Sequence, residues 1–483
     1  MSVSIAKSTD LTTVLLSAAA IIGLGYFFIP SCASRKYNLP PLVSTDSFPE
    51  NEKEFNKAPQ KFLDRCTAIY GPVFRMQLDG REIVVVDKSF SPFITMNKNA
   101  SFVQALEDIT VMREFIQFPG KERHVSHLGV FVRKFLNPSL DVYTSRVALR
   151  IEEACTEFIG DDFSGEKIID GFETIRNIII VAASSAIVGE KLCQNPELLA
   201  LFKTITTDFG MVFRAGYNKM LERIMYWYND LPGKHLRVLE RVLKPEIERR
   251  VREARENPNW ERPCDMLQDL IEYIPVDNSF IHNILKGVHA IIFVSMHTTS
   301  INSSYTFYTM ARFYDVYGPE LITEQQEVLS SNNGISKDTL KKMVKLDSFV
   351  REALRKQNAL LAIPHKALAD IKLKNGFDIP KGTHIYLNIL SAHFTSGDND
   401  REFNPWRWVE TSKQANKPGE DFLVFGMGAH ACPGRGFAIN EIKSLCSVFL
   451  RRYEFRLADP TTPFRPTENM PLPRGKAIVS VRK

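Results

Sequence analysis

The sequence predicts a mainly α chain with minor β-structure: one large helical domain with a small β-rich region, held behind an N-terminal transmembrane helix. Three observations lead there. The first is an uncharged stretch of 24 residues between Asp10 and Arg35, within which Leu11 to Ile29 is predominantly apolar. As a helix these 19 residues reach roughly 28 Å, close to the thickness of a bilayer core. The second is the middle of the chain, from about Ser126 to Lys356, which reads as successive amphipathic helices. One of these, from about Phe280 to Tyr314, sets Ile281, Ile284, Leu285, Val288 and Ile291 at three- and four-residue spacing and is long enough to cross a domain. The third is a set of short strand patterns, Val73 to Met76 and Ile83 to Val86 early, His384 to Leu387 and Ile478 to Val481 late. They put the β-structure at both chain ends.

Taken in order, Tyr26, Phe27 and Phe28 gather at one end of the apolar run and Arg35 and Lys36 follow it, so the positive-inside rule leaves the remainder in the cytosol. A cleaved signal peptide ending at Ser31-Cys32-Ala33 is the competing reading. The length of the run and the scarcity of positive charge before it favour the anchor. Pro40-Pro41 then makes a stiff spacer. The chain divides into an anchor over 1–35, a proline-containing linker over 36–47 and one domain over 48–483, inside which no repeat or Gly/Ser linker marks a boundary. Hydrophobic residues at 44% and charged residues at 24% exclude a disordered, collagenous or polytopic membrane chain. The 61 Lys and Arg against 56 Asp and Glu leave +5, too small a surplus to imply a nucleic-acid partner.

Seven cysteines, Cys32, Cys66, Cys155, Cys193, Cys264, Cys432 and Cys446, are odd in number and widely spaced, with no C-x-x-C pair. That speaks against a disulfide scaffold or a zinc knuckle. Cys432 stands apart. It lies in Phe425-Gly426-Met427-Gly428-Ala429-His430-Ala431-Cys432-Pro433-Gly434, of the form F-x-x-G-x-x-x-C-x-G. Three glycines and a proline around one thiol describe a tight loop whose main chain a flat ligand can approach closely. A helical stretch, Phe437 to Leu450, follows, so backbone N–H groups and the helix dipole are expected to lower the Cys432 pKa and hold a thiolate. Such a thiolate is an axial ligand for haem iron. The plain alternative is a small buried residue in a glycine-rich turn.

This stretch resembles the signature of the cytochrome P-450 superfamily of haem-thiolate enzymes, and HACPGR followed by Phe437-Ala438 is most similar to fungal members. The resemblance runs from the anchor to the C-terminal strand and implies the cytochrome P-450 fold. It implies haem b (heme b) bound by the loop of Phe425, Gly428, His430 and Gly434, with Cys432 as the iron ligand. Glu352-Ala353-Leu354-Arg355 places opposite charges on one helical face, and about fifty residues later comes Phe403-Asn404-Pro405-Trp406-Arg407-Trp408. In the family, Glu352, Arg355 and Arg407 correspond to a buried network bracing the haem side of the core. In Ser295-Met296-His297-Thr298-Thr299-Ser300, Thr298 matches the threonine that orients proton delivery, and His297 stands where an acid is usual. Here the plain reading is hydroxyls bonding back to the preceding turn. Three basic residues match propionate-facing positions: Arg133 (with Gly129 where a tryptophan is expected), His430, and Lys366 in Pro364-His365-Lys366.

Together these imply a membrane-anchored monooxygenase that inserts one atom of O2 into a lipophilic small molecule, a terpenoid or other fungal secondary metabolite. Electrons would come from a separate NADPH-dependent reductase, and the chain would sit in the endoplasmic reticulum membrane as a single-pass protein with its domain facing the cytosol. Substrate contacts are expected around Phe102 to Phe118, Met211 to Phe213, Ile291 to Thr299 and Leu360 to Pro364. A haem-thiolate isomerase or dehydratase needing neither O2 nor reductase is one alternative, and the Thr298-Thr299 pair argues against it. A non-catalytic haem-binding protein is the other.

Overall fold

The structure, a computed structural model, describes residues 37–44, 51–78, 80–109, 118, 125–214, 224, 228, 230–332, 334–357, 361–394, 402–411, 413–461 and 475–482. The expected anchor lies outside the described residues.

Helices α1 (Asn51–Lys57) and α2 (Pro59–Tyr70) lead into a hairpin of β1 (Val73–Leu78) and β2 (Arg81–Val86). Leu78 faces Arg81 across a two-residue turn, and Gly80 supplies the positive φ of +69° that such a turn requires. Next come α3 (Ser91–Met96), β3 (Ala100–Ser101), α4 (Phe102–Ile109) and α5 (Val125–Phe131), which runs into a π-turn over Val132–Leu136. The helical body follows: α6 (Leu140–Phe158), β4 (Lys167–Asp170), α7 (Gly171–Val188), α8 (Pro196–Arg214), α9 (Leu231–Glu256), α10 (Met266–Tyr273), α11 (Phe280–Ser330), α12 (Lys337–Lys342) and α13 (Val344–Gln357). The chain closes with β5 (Leu361–Ala367), β6 (Ile371–Lys372), β7 (Asp378–Ile379), β8 (His384–Asn388), α14 (Ile389–His393), α15 (Arg435–Arg452), β9 (Tyr453–Leu457) and β10 (Lys476–Val481).

The largest core joins α6, α7, α11, α13 and α15. Helix α7 starts where the Asp170 carboxylate accepts from the Glu173 amide at 2.9 Å. It then buries Ile175, Ile178, Ile179 and Ala182 together with the opposite face, as a helix apolar on all sides must. Both α7 and α11 are long and apolar enough to cross a membrane, but most of the apolar window of each is buried within the domain. Helix α11 has 51 residues and spans roughly 76 Å. The sequence ends this helix near Tyr314. In the structure Phe313 takes non-helical angles (φ −110°, ψ 16°) and the helix resumes to Ser330. The Phe313 ring stacks on Phe403 with centroids 4.7 Å apart.

The main sheet has the order β1-β2-β8-β5-β3, with β2 and β8 parallel. A second sheet, β4-β10-β9, is antiparallel throughout. Strand structure is therefore not confined to the chain ends as the sequence patterns had it: β4 sits within the helical body, and its exposed Ile168 hides the alternation that would mark it.

Candidate active site

Cys432 lies three residues before the start of α15. Its amide donates to the Phe425 carbonyl at 2.8 Å, and the Gly426 amide to the Leu423 carbonyl at 2.9 Å, which folds the loop back on itself. Gly426 and Gly428 sit at φ +66° and +65°, a region only glycine occupies without strain. A Cβ at Gly428 would also come within 3.1 Å of the Thr95 carbonyl, so α3 packs directly against this loop. The Cys432 sulfur receives the main-chain N–H groups of Gly434 and Arg435. The Arg435 guanidinium donates to the Cys432 carbonyl at 2.7 Å and to that of Asn416 at 3.1 Å. Contrary to the lowered pKa expected from the helix terminus, burial is the larger effect and pushes the thiol up, against the Gly434 amide, the Arg435 charge and the Arg435 amide. A thiolate here calls for a cation of its own, which a coordinated metal provides.

On α13, Arg355 grips Glu352 bidentately at 2.8 and 2.7 Å, with both side chains buried. Arg407 Nε lies 3.5 Å from the same carboxylate. The sequence-derived triad thus meets at one point, joined by two donors that the spacing did not single out: the Trp408 indole at 3.2 Å and the Asn404 amide at 3.3 Å. Arg351, one residue before Glu352, is also buried. Its guanidinium lies 3.9 Å from the Phe422 ring centroid and donates at 2.8 Å to the Gln414 and Lys417 carbonyls.

On α11, Val294, Ser295 and Thr298 keep solvent access while Phe293, Met296, Thr299 and Ser300 are buried. An accessible stripe in the middle of a core helix is the wall of a cavity. Thr298 Oγ1 donates to the Val294 carbonyl at 2.9 Å, the local bond of the plain reading, yet the side chain stays exposed. His297 turns toward α7: burial and the Arg176 charge lower its pKa and keep its ring neutral.

The basic residues separate. The His430 ring donates to the Ala100 carbonyl and lies 5.7 Å from His365. Arg133 packs over Gly129, its guanidinium 3.6 Å from where a Cβ would be, in the space that the missing side chain leaves. Lys366 is held by Asp108 at 2.5 Å, and His384 contacts the same carboxylate at 3.2 Å. The preceding residue, His365, occupies the inward position on β5 that the resemblance implies for Lys366. It is buried, Nδ1 donates to the Ile363 carbonyl at 2.9 Å, and Nε2 has no partner. Of the segments expected to contact substrate, residues 110–117 and 360 lie outside the described residues, as do the side chains of Met211 to Phe213.

This donor set fits a haem. One sulfur is capped by two amides, glycines leave the loop's main chain bare, an unpartnered buried imidazole nitrogen lies beside His430, and a helix offers an accessible stripe. Among the described residues no three His, Cys, Asp or Glu converge as a metal site, so Cys432 would be the one protein ligand. A helical domain with these features has a haem-thiolate architecture. The chain belongs to the cytochrome P450 family, whose model matches residues 47–481. It is 27% identical to cytochrome P450 monooxygenase 103 of Postia placenta, over 80% of each chain. It is equally identical to the cytochrome P450 monooxygenase ntnM of Nectria sp, over 93% of this chain and 89% of the relative. Identity to the lanosterol 14-alpha demethylase of Cunninghamella elegans is 25%, over 86% and 84%. Retinoic acid bound cyanobacterial CYP120A1 shares the fold with a TM-score of 0.67 at 17% identity, covering 93% of this chain and all of that one. The protein is a haem-thiolate monooxygenase.

Proposed function

We propose that this monooxygenase is a single-pass protein of the endoplasmic reticulum membrane, with its anchor over 1–35 and its catalytic domain over 48–483. It oxidises a lipophilic small molecule, a terpenoid or other secondary metabolite, with electrons from a separate NADPH-dependent reductase. The geometry of the Cys432 loop carries the reading: Gly426 and Gly428 at positive φ fold its main chain back through the Cys432–Phe425 and Gly426–Leu423 bonds, which sets the sulfur just ahead of α15 beside the Gly434 and Arg435 amides. Support for the substrate class comes from Val294, the apolar side chain on the accessible stripe of α11, and from two similar proteins, one named for lanosterol and one holding retinoic acid.

Bound haem supplies the activation of O2, one atom passing to the substrate and the other leaving as water. The chain's residues do the rest. Cys432 holds the iron, and the Gly434 and Arg435 amides tune the sulfur's donation. Arg133 offers donors to the acidic edge of the macrocycle; the neutral His430 and His365 rings already give their one N–H to the Ala100 and Ile363 carbonyls. Thr298 holds a hydroxyl on the accessible stripe where protons are delivered. His297, neutral and next to it in the helix, can accept or return one.

The test is incubation of microsomes containing this chain and a reductase with a panel of terpenoids, with and without NADPH. Product that requires NADPH supports the reading, and product without NADPH would move it to an isomerase. Cys432→Ala is expected to abolish the thiolate-type reduced carbonyl spectrum, and an unchanged spectrum would remove the ligand assignment.

A further inference from the structure

His393 ends the short helix α14 and is fully buried, with both ring nitrogens engaged. Nδ1 lies 3.0 Å from the Arg355 carbonyl, and Nε2 lies 3.0 Å from the Leu423 amide nitrogen. A carbonyl only accepts and a main-chain N–H only donates, so the tautomer is fixed: Nδ1 carries the proton and Nε2 offers its lone pair. A protonated ring would set donor against donor at Leu423. Burial acts in the same direction and pushes the ring's pKa down to about 3. The contact with Arg355 is reciprocal, since the Arg355 guanidinium donates to the His393 carbonyl, and the imidazole stacks on Phe422 with centroids 5.8 Å apart. From Leu423 the path to the sulfur is short. Its carbonyl takes the Gly426 amide, and the neighbouring Phe425 carbonyl takes the Cys432 amide.

We propose that His393 is a positioning residue: by accepting the Leu423 N–H it fixes the Cys432 loop against the Glu352–Arg355 pair and so sets how firmly the thiolate is held. Three segments remote in sequence meet at this one ring, which ties the buried ion pair to the metal-binding loop through hydrogen bonds alone. The proposal rests on the reading of Cys432 as the ligand.

Two substitutions separate this role from simple space-filling. In His393→Asn the amide nitrogen stands near the Nδ1 position, keeping the Arg355 carbonyl contact and losing Leu423. In His393→Gln the side-chain oxygen reaches the Nε2 position and keeps the acceptor. In the haem-loaded full chain two quantities are followed: amide hydrogen exchange of peptides spanning Leu423 to Cys432, and the rate at which the reduced carbonyl band passes from thiolate type to thiol type in mild denaturant. An unsatisfied buried amide corresponds to roughly 10- to 100-fold in local opening. Asn is expected to accelerate both by about that factor, and Gln to stay within about twofold of the parent. Equal effects of the two substitutions, or no effect of either, would overturn the proposal. If His393→Asn fails to load haem, the unsubstituted protein still decides: exchange of the Leu423 peptide as fast as in exposed loops refutes the bond, and protection comparable to α15 supports it. A parent protein without a thiolate-type band would refute the ligand assignment instead, leaving the exchange result to judge His393.

Discussion

The surroundings of Glu352 and of Glu441 teach opposite lessons about burying a carboxyl group. Both side chains are almost wholly withdrawn from solvent, at 0% and 2% exposure. Around Glu352 on α13 stand two guanidinium groups, an indole N–H and a main-chain amide. Around Glu441 on α15 burial acts unopposed, raising its pKa to about 8, and Oε1 has no partner. A protein keeps a buried acid either by surrounding it with donors or by leaving it protonated. The first arrangement braces α13 against the Asn404–Trp408 segment, and the second leaves a group whose cost grows with pH.

The largest expected effect is at the brace. Arg355→Ala strands the Glu352 charge and should cost about 3–5 kcal/mol, measured by denaturant unfolding of the haem-loaded protein; a loss below about 1 kcal/mol would mean the pair is not what holds this region. Glu441→Gln should act with the opposite sign. Because its folded pKa lies above the unfolded one, the wild-type penalty is absent below pH 4.5 and grows as the pH rises to about 8. The glutamine variant should therefore gain on the order of 2–4 kcal/mol relative to the parent between pH 5 and pH 8. Thermal unfolding at the two values checks it, and a difference that does not grow with pH would show that Glu441 is not held neutral. His393 shapes the acid side: its lowered pKa gives stability present above about 6.5 and lost as pH falls toward 3. Because the Glu441 gain runs the opposite way over the same range, the readout is the difference in denaturant midpoint between the parent and His393→Gln: the parent should lose ground to the variant as the pH falls below about 6.5, and a difference that stays constant down to pH 4 would contradict the neutral ring. Smallest is Arg407→Ala, at about 1 kcal/mol, since this guanidinium is partly exposed and 3.5 Å from its partner.

The difference between these glutamates also marks what the sequence can show. Glu352 and Arg355 are legible because a helix fixes what a three-residue spacing brings together, and Arg407 follows from its motif. The Cys432 loop is legible because its glycines answer local backbone demands. Glu441 carries no such mark: a lone acid in α15 reads as an exposed position, and only the packing of α6, α11 and α13 around that helix buries it. Lys366 and His365 show a subtler limit. Which neighbour on a strand faces inward depends on counting alternation, and β5 breaks the count with a register shift between Ala362 and His365. At that shift Ile363, a β-branched residue, holds a φ of +53°. His393 escapes notice for another reason, since its partners lie 38 and 30 positions away and no local pattern announces them.

The parallel pairing of β2 with β8, Ile83 beside His384 through Val86 beside Leu387, has a consequence in time. About 300 residues separate the two strands. During synthesis at roughly 5–20 residues per second, the β2 edge emerges on the order of 15–60 s before its partner exists. The β1–β2 hairpin alone is marginal in water, and its free edge is a template for any strand that reaches it first. The helices from α5 to α13 are therefore synthesised before the sheet can close, and the vulnerable period for this chain is the interval in which Val84, Val85 and Val86 wait on the ribosome unpaired.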